Sequence, residues 1–208
     1  MALFPQILND KQERLLKDIN FLKFPPFYLS GGTALALQLG HRTSLDFDFN
    51  SRNKFDSKSL FMEVKQAIRT DDTLQVEING VNLSIFYYPY ELVDKLVDFE
   101  GIKLAGLRDI AAMKTIAIVQ RARQRDFIDM YYLIKQLGLK QIMESVYKKY
   151  PWYQDNNMII IKSLTYFEEA DNDSEAKRIT VFDSSINWEN VKLKIKREVD
   201  KFVQENHE

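Results

Sequence analysis

Residues 30–50 read SGGTALALQLGHRTSLDFDFN, which puts a Gly-Gly turn, a short helix and an alternating strand directly after one another. The Ala- and Leu-rich segment 33–39 predicts a helix, and Gly40 is well placed to end it as a C-cap. The run LDFDF alternates strictly, which is the period of a β-strand. Asp46 and Asp48 then share one face of this strand, while the phenylalanines point to the core.

The glycine turn and the two aspartates together indicate phosphoryl chemistry. Gly31 and Gly32 let the backbone approach a phosphate, and the N-terminus of the following helix offers N–H groups to it. Mg²⁺ prefers a few carboxylates plus substrate phosphates. An isolated Asp-x-Asp pair is more often an exposed polar strand face, but the adjacent glycine turn favours a metal site. Asp46 and Asp48 are therefore the predicted metal ligands.

Two side chains close to the turn each have two interpretations. The hydroxyl of Thr33 either donates to a phosphate oxygen or caps the helix. Arg42, which precedes the carboxylates, either clamps a phosphate or has a structural role. The sequence leaves both alternatives open.

Composition limits the classes of protein that need to be considered. Of the 208 residues, 45% are hydrophobic and 12% aromatic, which is typical of a globular protein with a full core. The net charge of −1 argues against a general affinity for polyanions, so any nucleic-acid contact comes from a local patch. The chain has no cysteine, shows no signal-peptide pattern in MALFPQILNDKQERLL and has no window as apolar as a membrane span. We therefore expect a soluble, cytoplasmic protein.

Periodicity divides the chain into an α/β half, residues 1–100, and a helical half, residues 101–208. In the first half, a hairpin is predicted for residues 74–88 because Asn79-Gly80 is a strong turn signal. The segment 91–107 is expected to connect the two halves, and the acidic segment 168–175 to be a solvated loop. The predicted helices are 6–22, 33–39, 57–69, 109–122, 126–137, 139–149, 156–168 and 187–204.

A second cluster of charged residues lies in the helical half. On one continuous helix, Lys114, Arg121 and Arg125 would lie on nearly the same face. This alignment fails if the helix breaks near Arg123, where Asp126 is a candidate N-cap of a second helix. The alternative is a solvated basic stripe that pairs with neighbouring aspartates.

The two motif regions together resemble the AbiEii/AbiGii toxin family of nucleotidyltransferases, a branch of the DNA polymerase beta-type superfamily. The resemblance covers most of the chain. Its matching residues are Gly31-Gly32-Thr33, His41-Arg42, Ser44, Asp46, Asp48-Phe49, Tyr88-Pro89-Tyr90, Asp109-Ile110, Ala112-Met113-Lys114, Arg121, Arg125-Asp126-Phe127, Asp129 and Leu164-Thr165-Tyr166-Phe167.

The resemblance implies an α+β fold, in which a small mixed sheet flanked by helices is followed by a helical C-terminal region packed against it. It also implies transfer of a nucleoside monophosphate from an NTP to an acceptor hydroxyl, typically of an RNA such as tRNA. Two Mg²⁺ ions would assist, and an antitoxin encoded alongside is a possible partner.

The resemblance also implies roles for individual residues, at the positions of this sequence that match the family pattern. Asp46 and Asp48 become metal ligands, and Lys114 and Asp126 become a second catalytic pair. The expected nucleotide-binding residues are Gly31, Gly32, Thr33, Arg42, Ser44, Arg121 and Arg125.

The sequence departs from the superfamily pattern at one position. A third carboxylate usually comes from a later strand, as metal ligand and as base for the attacking hydroxyl, but the corresponding residue here is Ser84. Glu77 or Asp126 would have to replace it. Two alternatives therefore accompany the enzyme hypothesis: a catalytically silent nucleotide- or RNA-binding protein, and a nucleotidyltransferase that modifies an antitoxin.

Overall fold

The computed structural model describes residues 2–19, 22, 26–57, 60, 67–70 and 72–205. The chain divides into two compact units, Met1–Gly106 and Leu107–Glu208. Within the described residues, no helix is both long and apolar enough to span a membrane.

The first unit is built on a mixed sheet. Its strands are β1 Phe27–Ser30, β2 Phe47–Ser51, β3 Ala67–Arg69, β4 Thr73–Ile78, β5 Val81–Tyr87, β6 Val97–Phe99 and β7 Ile102–Leu104. Their spatial order is β3-β4-β5-β2-β1-β7-β6. The β2–β5 and β1–β7 pairs are parallel, whereas the other neighbours are antiparallel. The predicted α+β class with a mixed sheet is confirmed.

The α-helices among the described residues of this unit are α1, Asp10–Asp18, and α2, Gly31–Leu39. A capping box fixes the start of α1, because the Asn9 side chain accepts from the Gln12 backbone and the Gln12 side chain accepts from the Asn9 backbone. The helix predicted for residues 6–22 is therefore shorter than expected. As predicted, Gly40 is the C-cap of α2, with a left-handed φ of +61°.

The sheet has one buried face and one open face in the β2, β5 and β4 region. On β5 and β4, side chains alternate between buried and more exposed positions, as the two-residue period of a strand requires. Phe47 and Phe49 of β2 are fully buried on the apolar side. α2 packs against β1 and β2, and α1 packs against β5. The opposite face carries the polar residues of the candidate site.

Two predictions for this unit were wrong in part. Residues 67–69, expected to end a helix, form β3, and most of the predicted helix 57–69 lies outside the described residues. The segment 91–107 was expected to contain a connection between the two halves, and no strand was predicted in it, yet it contains the hairpin β6–β7 around Glu100 and Gly101, both with positive φ. Strands of three residues contain too few alternations to be recognised from sequence.

The second unit is helical. Its helices are α3 Leu107–Gln120, α4 Gln124–Leu137, α5 Leu139–Lys149, α6 Trp152–Asp155, α7 Asn157–Thr165, α8 Glu168–Asp171 and α9 Trp188–Glu205. α3 packs against α4, α5 and α7, and α4 packs against α9. The predicted bounds of α5 are confirmed, and those of α3, α4 and α9 agree to within two residues.

Candidate active site

The glycine turn joins β1 directly to the N-terminus of α2, and protein side chains pack against both glycines. Gly31 has φ +65°, and a Cβ added there would lie 2.8 Å from Oδ2 of Asp48. A Cβ added at Gly32 would lie 2.6 Å from Nη2 of Arg42. The absence of a side chain at both positions therefore lets a carboxylate and a guanidinium approach the backbone closely.

The two predicted metal ligands lie on the open face beside this turn. Asp46 immediately precedes β2 and Asp48 lies within it, so their side chains project from the same face. Both are partly exposed. Asn82 on β5 donates from Nδ2 to Oδ1 of Asp46 at 3.1 Å, which orients that carboxylate.

The start of α2 is open to an additional hydrogen-bond acceptor. Its N-cap residue, Ser30, makes no side-chain hydrogen bond to the helix; its hydroxyl instead donates to the backbone carbonyl of Asp48 at 3.2 Å. The first N–H groups of a helix have no partner within the helix and carry partial positive charge. An anionic group beside Gly31 and Gly32 would therefore be stabilised.

Thr33 and Ser44 are buried behind the carboxylates. The Thr33 hydroxyl donates to the backbone carbonyl of Asp46, and its oxygen lies 2.8 Å from Oγ of Ser44. These contacts tie α2 to the segment that leads into β2. Thr33 does not cap α2, and its hydroxyl is already bound, so a phosphate contact at this residue would use its backbone N–H.

Arg42 is also buried, with only 2% of its surface exposed. Its Nη1 donates to the backbone carbonyl of Thr43 at 2.8 Å, and its Nη2 lies next to Gly32. The guanidinium therefore presents its positive charge to the glycine turn from the protein interior.

The pairing of β2 with β5 and β4 determines which residues neighbour the aspartates. Asp48 is paired with Ser84 in the parallel β2–β5 register, and Ser84 is paired with Gln75 across β5 and β4. Asn82, which bonds Asp46, is paired with Glu77. Two rows of polar side chains thus cross the open face, one containing each aspartate.

A cavity of about 680 Å³ lies over these rows. The polar residues that line it are Asp46, Asp48, Gln75, Glu77, Asn82 and Ser84. Among the described residues, no group of three or more His, Cys, Asp or Glu side chains is arranged to hold a metal ion. A cation at this face would therefore take two protein carboxylates, those of Asp46 and Asp48, and its other ligands from substrate and water.

In the second unit, Lys114 forms a buried ion cluster with two aspartates of α4. Its Nζ lies 2.6 Å from Oδ1 of Asp126 and 2.7 Å from Oδ2 of Asp129. The side chains of Lys114, Asp126 and Asp129 are 9%, 2% and 0% exposed. The other carboxylate oxygen of Asp126 is buried without a hydrogen-bond partner among the described residues.

Of the two alternatives for the basic stripe, the structure has the helix break near Arg123. The N-cap of α4 is Arg123, so the prediction of Asp126 as N-cap was wrong. α3 ends at Gln120 and α4 begins at Gln124, so Arg121 and Arg125 do not lie on one helix with Lys114. Arg121 is exposed. The Nη1 atom of Arg125 lies 3.9 Å from Oε2 of Glu175.

Carboxylates of the predicted acidic loop stabilise this break between the helices. Glu169 accepts from the backbone N–H of Ala122 at 3.3 Å. Asp173 accepts from the backbone N–H of Gln124 at 3.0 Å and from Nη1 of Arg123 at 3.1 Å. The expectation that residues 168–175 form only a solvated loop was wrong, because α8 forms there and the Asp173 side chain is 2% exposed.

Burial and hydrogen bonding act on Asp173 in opposite directions. Burial by itself would raise the pKa of this carboxyl. The backbone N–H groups of Glu175 and Gln124 and the guanidinium of Arg123 outweigh burial and hold the pKa below its usual value. The ionised form is therefore the one that the fold stabilises.

Sequence reasoning missed two features. Asp109 and Lys149 form an ion pair at 2.8 Å, with both side chains fully buried, and no local signal identified Lys149 as its partner. Asn82 and Gln75 were also overlooked as residues of the site. Their places beside Glu77 and Ser84 follow from the two-residue hairpin turn, so the register could have identified them.

Comparison with known proteins gives concordant results. The family model described as Nucleotidyl transferase AbiEii toxin, Type IV TA system, matches residues 14–85 and 72–205. The uncharacterised protein aq_aa25 of Aquifex aeolicus (strain VF5) is 36% identical over 213 residues, which cover 96% of this chain and 98% of that protein.

Two solved structures share the fold. JHP933 from Helicobacter pylori has a TM-score of 0.61 at 18% identity, and the match covers 99% of this chain and 97% of that one. MenT4, the nucleotidyltransferase toxin Rv2826c from Mycobacterium tuberculosis H37Rv, has a TM-score of 0.54 at 15% identity. That match covers 84% of this chain and 75% of MenT4. At such low identities, both matches show only that the fold is shared.

Proposed function

Because the chain belongs to the AbiEii family of nucleotidyl transferase toxins, we propose that it transfers a nucleoside monophosphate from a Mg–NTP to an acceptor hydroxyl of an RNA such as tRNA. The observation that carries this proposal is the pair of carboxylates, Asp46 and Asp48, beside an uncapped helix N-terminus. The same family supports an NTP as donor and a cognate antitoxin as partner.

The donor set of the cavity fits a divalent cation of the Mg²⁺ class. Mg²⁺ commonly binds through one or two carboxylates together with substrate phosphates and waters, and Asp46 and Asp48 supply the carboxylates. When bound, up to two such ions would neutralise charge on the triphosphate and stabilise the attacking and leaving oxygens. Asn82 would keep Oδ1 of Asp46 oriented for this role.

The residues of the chain itself would bind and orient the triphosphate. Backbone N–H groups at the start of α2, including those of Gly32 and Thr33, would hold the pyrophosphate leaving group. The buried guanidinium of Arg42 would add positive charge behind this turn. Ser44 would act indirectly, through its contact with Thr33.

In the second unit, Lys114 would be the group that neutralises developing negative charge on the phosphates. Asp126 and Asp129 would position its ammonium group, since both lie within hydrogen-bond distance of Nζ. Arg121 and Arg125 remain predicted nucleotide contacts, each from its own segment rather than from a shared helix face. Support for including this unit comes from the family match, which extends to residue 205.

Labelled nucleotides test the proposal directly. The protein is incubated with each α-labelled NTP, Mg²⁺ and total tRNA, alongside Asp46→Asn and Asp48→Asn variants. We expect label in RNA, and a loss of about 10²–10³-fold in rate for either variant, which is typical when a group that stabilises transition-state charge is removed. Asp72→Asn, an exposed carboxylate of the same unit outside the cavity, is the matched control and should leave the rate unchanged.

The result of this experiment separates the proposal from its alternatives. Label that is sensitive to protease rather than nuclease would indicate transfer to a protein, such as an antitoxin. Absence of label with every NTP would refute the enzymatic proposal. Ser84 beside Asp48 favours one further candidate, a silent nucleotide-binding protein, for which calorimetric titration would detect NTP binding with little dependence on Mg²⁺.

A further inference from the structure

Transfer to a hydroxyl requires a proton acceptor, and the cavity offers three carboxylates for that task. Asp46, Asp48 and Glu77 all line it. Asp46 and Asp48 are the proposed cation ligands, so Glu77 is the carboxylate of this lining that has no proposed role in binding the cation. Ser84, the residue paired with Asp48, has a hydroxyl that does not accept protons near neutral pH.

Glu77 is placed to act within the same cavity as the aspartates. It lies on β4, is exposed on the open face and is paired with Asn82. Asn82 in turn donates to Asp46, so a neutral amide separates the two acidic side chains. Within the described part of the chain, the Glu77 carboxylate takes part in no ion pair, which leaves it able to accept a proton.

A role for Glu77 as an additional cation ligand fits the structure less well. Among the described residues, it does not complete a group of three acidic or histidine side chains that could hold a metal ion. Its position at the edge of the rows, beyond Asn82, is better suited to a group that meets the incoming hydroxyl than to one that binds the triphosphate.

Asp126, the other candidate base, is already engaged. Its Oδ1 lies 2.6 Å from the ammonium of Lys114, and its side chain is 2% exposed. A carboxylate that holds a buried ammonium loses that ion pair when it takes a proton, which is costly in the protein interior. Asp126 is therefore better suited to position Lys114 than to deprotonate an acceptor.

We propose that Glu77 is the general base of the reaction, an inference that rests on the proposed nucleotidyl transfer. The acceptor oxygen forms a bond to the α-phosphorus, the bond between the α-phosphorus and the bridging oxygen breaks, and pyrophosphate leaves. The proton of the acceptor hydroxyl passes to a carboxylate oxygen of Glu77. No oxidant, reductant or further reactant is needed.

The test compares Glu77→Gln with Glu13→Gln, which makes the same chemical change at an exposed position of α1 outside the cavity. General-base catalysis typically contributes about 10²–10⁴-fold, so we expect kcat of Glu77→Gln to fall by that factor while the KM for NTP stays unchanged. The acidic limb of the pH–rate profile should disappear in Glu77→Gln and persist in Glu13→Gln. Mn²⁺ binding, followed by electron paramagnetic resonance, should be retained in Glu77→Gln and weakened in Asp48→Asn.

Rescue distinguishes a missing base from a general disturbance of the site. A carboxylate introduced by Ser84→Asp in the Glu77→Gln background again gives the cavity a third carboxylate. The double variant should therefore be at least about tenfold faster than Glu77→Gln alone. The inference is overturned if Glu77→Gln retains the wild-type rate and acidic limb, and loss of both in Asp126→Asn would then assign the base to Asp126. The two proposals fail differently, since wild-type protein that labels no acceptor refutes the transfer itself.

Discussion

Gly31→Ala is expected to impair catalysis more than folding, because its methyl group would press on a proposed metal ligand. The positive φ of Gly31 costs an L-residue about 1–2 kcal/mol. The added Cβ would lie 2.8 Å from Oδ2 of Asp48, and ordinary contact begins at 3.4 Å, so the carboxylate must retreat by about 0.6 Å. A displacement of about 1 Å in an active site can cost about 10²-fold in rate. We therefore expect a loss of at least about tenfold in kcat.

Gly80→Ala is the matched control for this prediction. Gly80 also has a positive φ, +80°, but among the described residues an added Cβ would meet the flexible side chain of Lys11, whose tip Nζ would lie at 3.0 Å. Urea denaturation should show a similar loss of stability in both variants, while transfer of labelled nucleotide under conditions where both are folded should fall only in Gly31→Ala. Equal transfer rates in the two variants would show that the position of Asp48 against Gly31 is not needed for transfer.

Further predictions concern the second unit. Lys114→Met leaves the carboxylates of Asp126 and Asp129 buried without their cation. Urea denaturation should therefore show an unfolding free energy that is lower by about 3–5 kcal/mol. The control is Lys140→Met, at an exposed position on α5, and an equal loss in this variant would contradict the prediction. Asp173→Ala removes a buried acceptor of N–H groups at the start of α4 and should cost about 1–3 kcal/mol at neutral pH. Folding lowers the pKa of Asp173. Its contribution to the unfolding free energy is therefore complete above the unfolded-state pKa of about 3.9 and is lost as the pH falls through the pKa of the folded state. Variant and wild type should therefore converge in unfolding free energy on acidification, and a constant difference down to about pH 2 would show that ionisation of Asp173 is unimportant.

The β4–β5 hairpin of the first unit shows how much of the structure a local sequence signal can predict. Asn79 and Gly80 both adopt positive φ, 53° and 80°, as the turn signal predicted. A two-residue turn leaves only one register, so it also determines that Glu77 pairs with Asn82 and Gln75 with Ser84. Part of the site therefore follows from the sequence of this turn.

Predictions made from helical periodicity were less complete. The pattern predicted separate helices over residues 109–122 and 126–137, whereas the chain leaves the helix at Arg121 and resumes it at Gln124. The backbone N–H of Gln124 bonds Asp173, a residue 49 positions later. The periodicity of a helix depends only on residues within a few turns of one another. It therefore cannot predict a hydrogen-bond acceptor that lies far along the chain.

The order of strand, glycine turn, helix and Asp-x-Asp strand follows from local sequence, because these elements depend on side-chain period and on backbone freedom within a few residues. The positions of the charged side chains depend instead on the folded chain, which buries Arg42 behind Gly32 and places Lys114 between Asp126 and Asp129. A charge leaves water only where folding brings it a partner, and that partner comes from another element of the chain.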